Sequence, residues 1–176
     1  MRLHLISVTA VTKDVLSLNK PEFVQRVEDY QARMYRVALT ILGRGADAED
    51  AVQDALLSAW RALGSLRDEQ YFETWLMRIL INVCRSELRA RARFKGGDID
   101  SLPELPAPPP PDPHLFYALE RLEEKYRLPL MLHCAEGYSV GEVAQMLHLP
   151  VGAVKWRISQ GRTRLGRLIE EEGAEA

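Results

Sequence analysis

Residues 138–165 read YSVGEVAQMLHLPVGAVKWRISQGRTRL, and their spacing decides the fold class. Ser139 with Glu142 three residues later is the pattern of a capping box, opening a short helix to Leu147. His148-Leu149-Pro150 turns the chain, and a longer helix follows from about Val151 to Ile169. On that helix Val154, Ile158, Gly161 and Leu165 share one face, while Gly152, Trp156, Ser159, Gln160, Thr163 and Arg167 lie opposite. Lys155 and Arg162 flank one side of the outward ridge, Arg157 and Arg164 the other. Helix, short turn and basic helix is a helix-turn-helix pattern. A ridge that can reach base edges, between two rows of cations that can hold phosphates, suits a DNA major groove. A purely structural helical hairpin is the alternative.

Upstream, the chain divides at SLPELPAPPPPDP (101–113), which holds seven of the ten prolines. Such density excludes helix interior and sheet and favours extended polyproline conformations. Residues 96–113 also carry Asp98, Asp100, Glu104 and Asp112 with no Lys or Arg. This is an acidic linker, so the flanking blocks are expected to fold as separate units. Residues 1–20 have an indistinct period and no long apolar run, and are expected to form a loose arm.

Residues 21–95 read as three helices. Pro21 stands at a helix start, Phe23, Val27, Tyr30, Met34, Val37 and Ile41 recur at helical spacing, and Gly43 and Gly45 are expected to end the segment. A second helix is expected from about Ala46 to Leu63, and a third from about Tyr71 to Arg93, burying Phe72, Trp75, Ile79, Leu80 and Val83. Residues 114–172 are expected to be helical too, with Pro129 bending or starting one helix. No segment sustains period-two alternation. The fold class is therefore all-α: a three-helix block and a helix-turn-helix block joined by the linker.

Two charge clusters stand out against a net charge of −2. Asp47, Glu49, Asp50, Gln53 and Asp54 form an acidic cluster, with Val52, Ala55, Leu56, Ala59 and Leu63 on the apolar face of the same helix. A basic partner and a merely solvated helix start both fit it. Arg78, Asn82, Arg85 and Arg89 form one stripe on the third helix, able to meet successive phosphates and a base edge, or to serve only solubility. The segment GSLRDEQYF (64–72) offers Arg67, Gln70, Tyr71 and Phe72, which could stack on and bond to an unpaired base.

Cys84 and Cys134 lie far apart without metal-ligand spacing and are expected to be buried, reduced thiols. His4, His114, His133 and His148 form no catalytic or metal pattern, so neither enzyme activity, cofactor, metal nor small-molecule substrate is expected.

In order and spacing, these features resemble the extracytoplasmic-function (ECF) group of bacterial RNA polymerase sigma factors. DAEDAVQDALLSAW (47–60) looks like the polymerase-binding part of their region 2, and FETWLMRILINVCRSELRARAR (72–93) like the part that melts and reads the minus-ten element. Residues 138–165 resemble the minus-thirty-five reader of region 4. The resemblance implies an alternative sigma factor with region 2 at 21–95 and region 4 at 114–172. Asp47, Glu49, Asp50, Gln53 and Asp54 would then face core polymerase. Arg67, Gln70, Phe72, Arg78, Asn82, Arg85 and Arg89 would take minus-ten DNA. Lys155, Trp156, Arg157, Ser159, Gln160, Arg162 and Arg164 would take the minus-thirty-five element. It further implies a cytoplasmic protein that an anti-sigma factor sequesters, often at the membrane. The chain departs from the usual family pattern at Ser86, Ala153, Trp156 and Gln160, which touches promoter preference rather than fold. A helix-turn-helix regulator that is not a sigma factor is the rival reading, but it leaves the acidic stripe without a purpose.

Overall fold

The computed structural model describes residues 20–66, 68–94 and 113–174. Apart from Lys20 and Pro113, the expected arm (1–20) and linker (96–113) lie outside the described residues, as does Arg67. Among the described residues every regular element is helical. The order is α1 (Lys20–Leu42), α2 (Gly45–Ala62), α3 (Phe72–Phe94), α4 (Pro113–Arg121), α5 (Glu124–Leu130), α6 (Val140–Leu147) and α7 (Val151–Ala174).

In the first block α1, α2 and α3 pack mutually. Phe23, Val27, Met34, Val37 and Ile41 bury the expected face of α1, and α2 meets it with Ala48, Ala51, Val52, Ala55 and Ala59. Small side chains on α2 let the helices approach closely. Gly43 ends α1 at φ +76°, donating its N–H to the Leu39 carbonyl at 2.9 Å. Gly45 does not share that role, as it is the first residue of α2.

In the second block α7 packs on α4, α5 and α6. Pro129 neither starts nor breaks α5. It is the sixth of the helix's seven residues, and the chain then widens into a π turn over Met131–Ala135, with the Glu136 N–H reaching the Met131 carbonyl at 3.0 Å. The widened turn leaves Cys134 exposed, against the expectation of burial, whereas Cys84 is buried. The capping box forms as its spacing requires: Glu142 N–H donates to Ser139 Oγ at 3.2 Å, and Ser139 N–H donates to the Glu142 carboxylate at 2.8 Å. His148 takes the left-handed conformation (φ 54°) that lets the three-residue turn swing α7 across α6.

The two blocks also pack against each other, which the sequence patterns do not announce. α3 contacts α6, and α1 contacts α5. Phe72, Trp75, Leu76, Met77, Leu80, Ile81 and Cys84 are all buried. At 100° per residue they cover well over half the circumference of α3. A helix clothed on so many sides has neighbours beyond α1 and α2.

Candidate nucleic-acid interface

The acidic cluster on α2 divides in two. Asp47 sits 2.8 Å from Arg91 of α3 and 3.5 Å from Arg44, so its charge is engaged inside the block. Glu49 is half-buried, and Asp50, Gln53 and Asp54 are exposed. Leu57 and Arg61, also exposed, continue the stripe of Asp50 and Asp54 along the same face. Sequence reasoning passed over these two; an apolar residue on the polar side of an amphipathic helix was the available signal.

The segment between α2 and α3 is organised by Asp68, whose carboxylate accepts from the Gln70 backbone N–H at 3.0 Å and the Gln70 side chain at 2.5 Å. Arg26 of α1 pins it from the other side, donating to the Glu69 carboxylate at 3.0 Å. Beside it opens a cavity of about 380 Å³, lined by Ser65, Leu66, Asp68, Tyr71, Thr74, Trp75, Arg78 and Gln145. Phe72 does not belong to this surface. It is 1 % exposed, with its ring 5.9 Å from that of Phe23 and 6.1 Å from that of Trp75, so it is a core residue. Tyr71, at 52 % exposure, is the aromatic face presented there. One helical position separates a ring that opens outward from one that anchors α3.

Along α3, Asn82 and Arg89 are exposed and Arg78 is half-buried at the cavity. Arg85 reaches across to Glu124 of α5 at 3.3 Å. Arg91 bonds to Glu87 and lies against Asp47, which ties the end of α3 back to α2.

On α7 the face assignment from spacing agrees with the burial except at Gln160, which is expected on the outward ridge and is half-buried. Val154, Ile158 and Gly161 are buried, Leu165 is half-buried, and Lys155, Trp156, Ser159, Arg162, Thr163 and Arg164 are exposed. Gln160 and Arg157 are half-buried at the edges. Trp156 is 56 % exposed, its ring centroid 5.9 Å from that of Tyr126, so one side is supported and the other open. Arg164 lies 4.3 Å over the Tyr126 ring and donates to Glu123 at 2.9 Å. A bond from Lys125, reinforced by Arg164, holds the Glu123 carboxyl below the ordinary carboxylate range. Arg162 contacts Cys134 Sγ at 3.3 Å. A second cavity, about 390 Å³, brings Lys155, Ser159 and Arg162 together with His133, whose Nδ1 is 2.7 Å from the Tyr138 carbonyl and so carries a proton. His133 has no signature in the sequence, because only the π turn brings it beside α7.

Known proteins share this arrangement. Residues 26–94 match the family described as Sigma-70 region 2, and residues 115–165 match Sigma-70, region 4. The ECF RNA polymerase sigma factor SigM of Mycobacterium tuberculosis is 33 % identical over 150 residues, covering 84 % of this chain and 76 % of its own. The RNA polymerase sigma-H factor of Pseudomonas aeruginosa is 28 % identical over 170 residues, covering 86 % and 88 %. Among solved structures, the sigma factor RpoE in complex with the anti-sigma factor NepR, from Bartonella quintana, aligns with a TM-score of 0.74 at 28 % identity. That alignment covers 85 % of this chain and 97 % of that one. CnrH in complex with the cytosolic domain of CnrY aligns with a TM-score of 0.66 at 28 % identity, covering 87 % and 90 %.

The chain belongs to the ECF group of RNA polymerase sigma factors. It is an alternative sigma factor, a DNA-binding transcription initiation factor rather than a member of an enzyme family. Among the described residues no helix is long and apolar enough to cross a membrane.

Proposed function

We propose a division of labour among three surfaces. Asp50, Gln53 and Asp54, with Glu49 at their edge, dock region 2 on core polymerase, and Leu57 adds an apolar contact. Gln70, Tyr71, Arg78, Asn82, Arg85 and Arg89 take the minus-ten element, with the cavity beside Tyr71 and Trp75 receiving an unstacked base. Trp156, Ser159 and Gln160 address base edges of the minus-thirty-five element, while Lys155, Arg157, Arg162 and Arg164 hold the flanking phosphates. The observation that carries the reading is the exposed Trp156–Ser159 ridge on α7, opposite the buried Val154, Ile158 and Gly161 and bordered by cations. Such a ridge fits a major groove, and an indole with one free face can meet a thymine methyl.

An anti-sigma factor is part of this proposal, supported by the complex with the anti-sigma factor NepR in which RpoE was solved. The membrane is the place where such a partner would hold the chain. The test is transcription from mapped start sites with purified core polymerase and this protein as the sole initiation factor. Start-site selection that depends on Asn82 and Gln160 is the expected result. Transcription indifferent to both would overturn the assignment.

A further inference from the structure

Glu136, between the π turn and α6, is 2 % exposed, yet its charge partners all come from α1. Arg36 donates through Nε at 2.7 Å and through a terminal nitrogen at 2.8 Å, a two-pronged grip on the carboxylate. Arg33 donates to the Glu136 carbonyl at 2.6 Å and stands 3.5 Å from its carboxylate. The same guanidinium lies 5.4 Å over the rings of Tyr30 on its own helix and Tyr138 on the other block. A buried carboxylate is tolerable only when paired and hydrogen-bonded in this way. Its burial therefore depends on the two blocks being in contact.

That contact falls on the α3 surface assigned above to minus-ten DNA. Gln145 of α6 forms one wall of the cavity beside Tyr71, Trp75 and Arg78. Glu124 of α5 occupies Arg85. The exposed Asp50 and Asp54 on α2 and the ridge of α7 are left open. The arrangement encroaches on one of the three working surfaces, at Arg85 and the cavity wall, while Asn82 and Arg89 stay exposed, and it spares the other two.

We propose that region 4 is an intramolecular competitor of single-stranded minus-ten DNA for the α3 face, held there by a Glu136–Arg33–Arg36 latch. This inference rests on the minus-ten reading of α3. The free chain can then meet polymerase through α2, and it takes the melted strand only after region 4 has swung off. A carboxylate serves such a latch better than an apolar contact, because all three groups rehydrate when it opens. The boundary also contains an opposing pair: Glu73 of α3, whose carboxyl is pushed up by partial burial and then by Glu142 of α6, with Arg26 tempering the effect. Closure is thus a balance rather than a locked state.

The test uses the full chain carrying a fluorophore pair, one on each block, and a labelled single-stranded DNA 12-mer of a mapped minus-ten non-template sequence. Glu136→Gln, which keeps the shape and removes the charge, should lengthen the inter-block distance and tighten 12-mer binding roughly tenfold. Glu73→Gln should shorten the distance and weaken binding. A bis-maleimide bridging Ser65→Cys and Gln145→Cys, in a Cys134→Ser background, should abolish binding while leaving helical content intact. An unchanged distance in folded Glu136→Gln overturns the latch. A lengthened distance with unchanged binding overturns the competition; if Asn82→Ala is then also silent toward the 12-mer, the failure lies in the minus-ten reading of α3. Bridged protein that still binds the 12-mer at wild-type strength overturns the competition as well.

Discussion

Gly161 of α7 faces the backbone of Tyr126 in α5 so closely that a β-carbon there would lie 3.2 Å from the Tyr126 carbonyl oxygen. The neighbouring β-carbons of Tyr126 and Leu130 would stand at 3.6 and 3.7 Å. Gly166, one and a half turns further on, has nothing within 4 Å. Replacing an exposed helical glycine by alanine ordinarily stabilises by about 1 kcal/mol. Gly166→Ala should therefore raise the urea midpoint, whereas Gly161→Ala should forfeit that gain to the strained α5–α7 contact. Equal increases in both variants would show that α5 yields freely.

Polymerase docking should separate Asp47 from its neighbours. Asp50→Ala with Asp54→Ala should weaken association with core polymerase, more at low salt than at high, without loss of helical content. Asp47→Ala should instead lower stability, because it frees Arg91 and Arg44 from their shared carboxylate. Fluorescence anisotropy against purified core, alongside thermal unfolding, measures both; core affinity surviving in the folded double variant would remove α2 from the interface.

On α7, Gln160→Ala should relax preference at one or two promoter positions, costing on the order of 1–3 kcal/mol at the favoured base. Lys155→Ala should weaken binding to all sequences and reduce the salt slope by about one. Trp156→Ala should reduce preference for a thymine. Binding across a promoter library decides, and a uniform loss for Gln160→Ala with altered base choice for Lys155→Ala would mean the face is rotated.

Alkaline pH should destabilise the fold in a defined window. Burial, reinforced by Glu87, pushes the Cys84 thiol up to about 12, and burial likewise raises the Tyr138 hydroxyl to about 12. Their unfolded values are roughly 8.5 and 10. Both groups are favoured neutral in the native state, so their contribution is full below the unfolded values and is lost as pH climbs toward 12. Urea unfolding between pH 8 and 11 should show falling stability, with a shallower fall in Cys84→Ala. In native protein at pH 8, a thiol reagent should modify Cys134 and spare Cys84; rapid labelling of both would contradict the burial argument.

The local elements were readable because each is written in short-range spacing. The capping box needs only Ser139 and Glu142, and the buried face of α7 needs only a repeat of three and four. Phe72 and Tyr71 show where that stops. Both are aromatic and adjacent, and only the packing of Phe23 and Trp75 decides which turns inward. The pairing of Arg36 with Glu136 spans one hundred positions and leaves no local pattern. Cys134 departs from the expected burial for a related reason, since a π turn shifts the register that a 3.6-residue period assumes.

The cations assigned to DNA are not all idle before DNA arrives. Arg164 is held by Glu123, and Arg85 by Glu124. A phosphate that captures either one displaces a carboxylate of the protein itself, which then gathers small cations from solution. Part of the sodium or potassium expelled from the nucleic acid is thereby taken back up. The net number of ions released, read from the slope of log affinity against log salt, should consequently fall short of the number of phosphates neutralised. Exchanging Glu123 for glutamine should steepen that slope while adding no contact to the double helix.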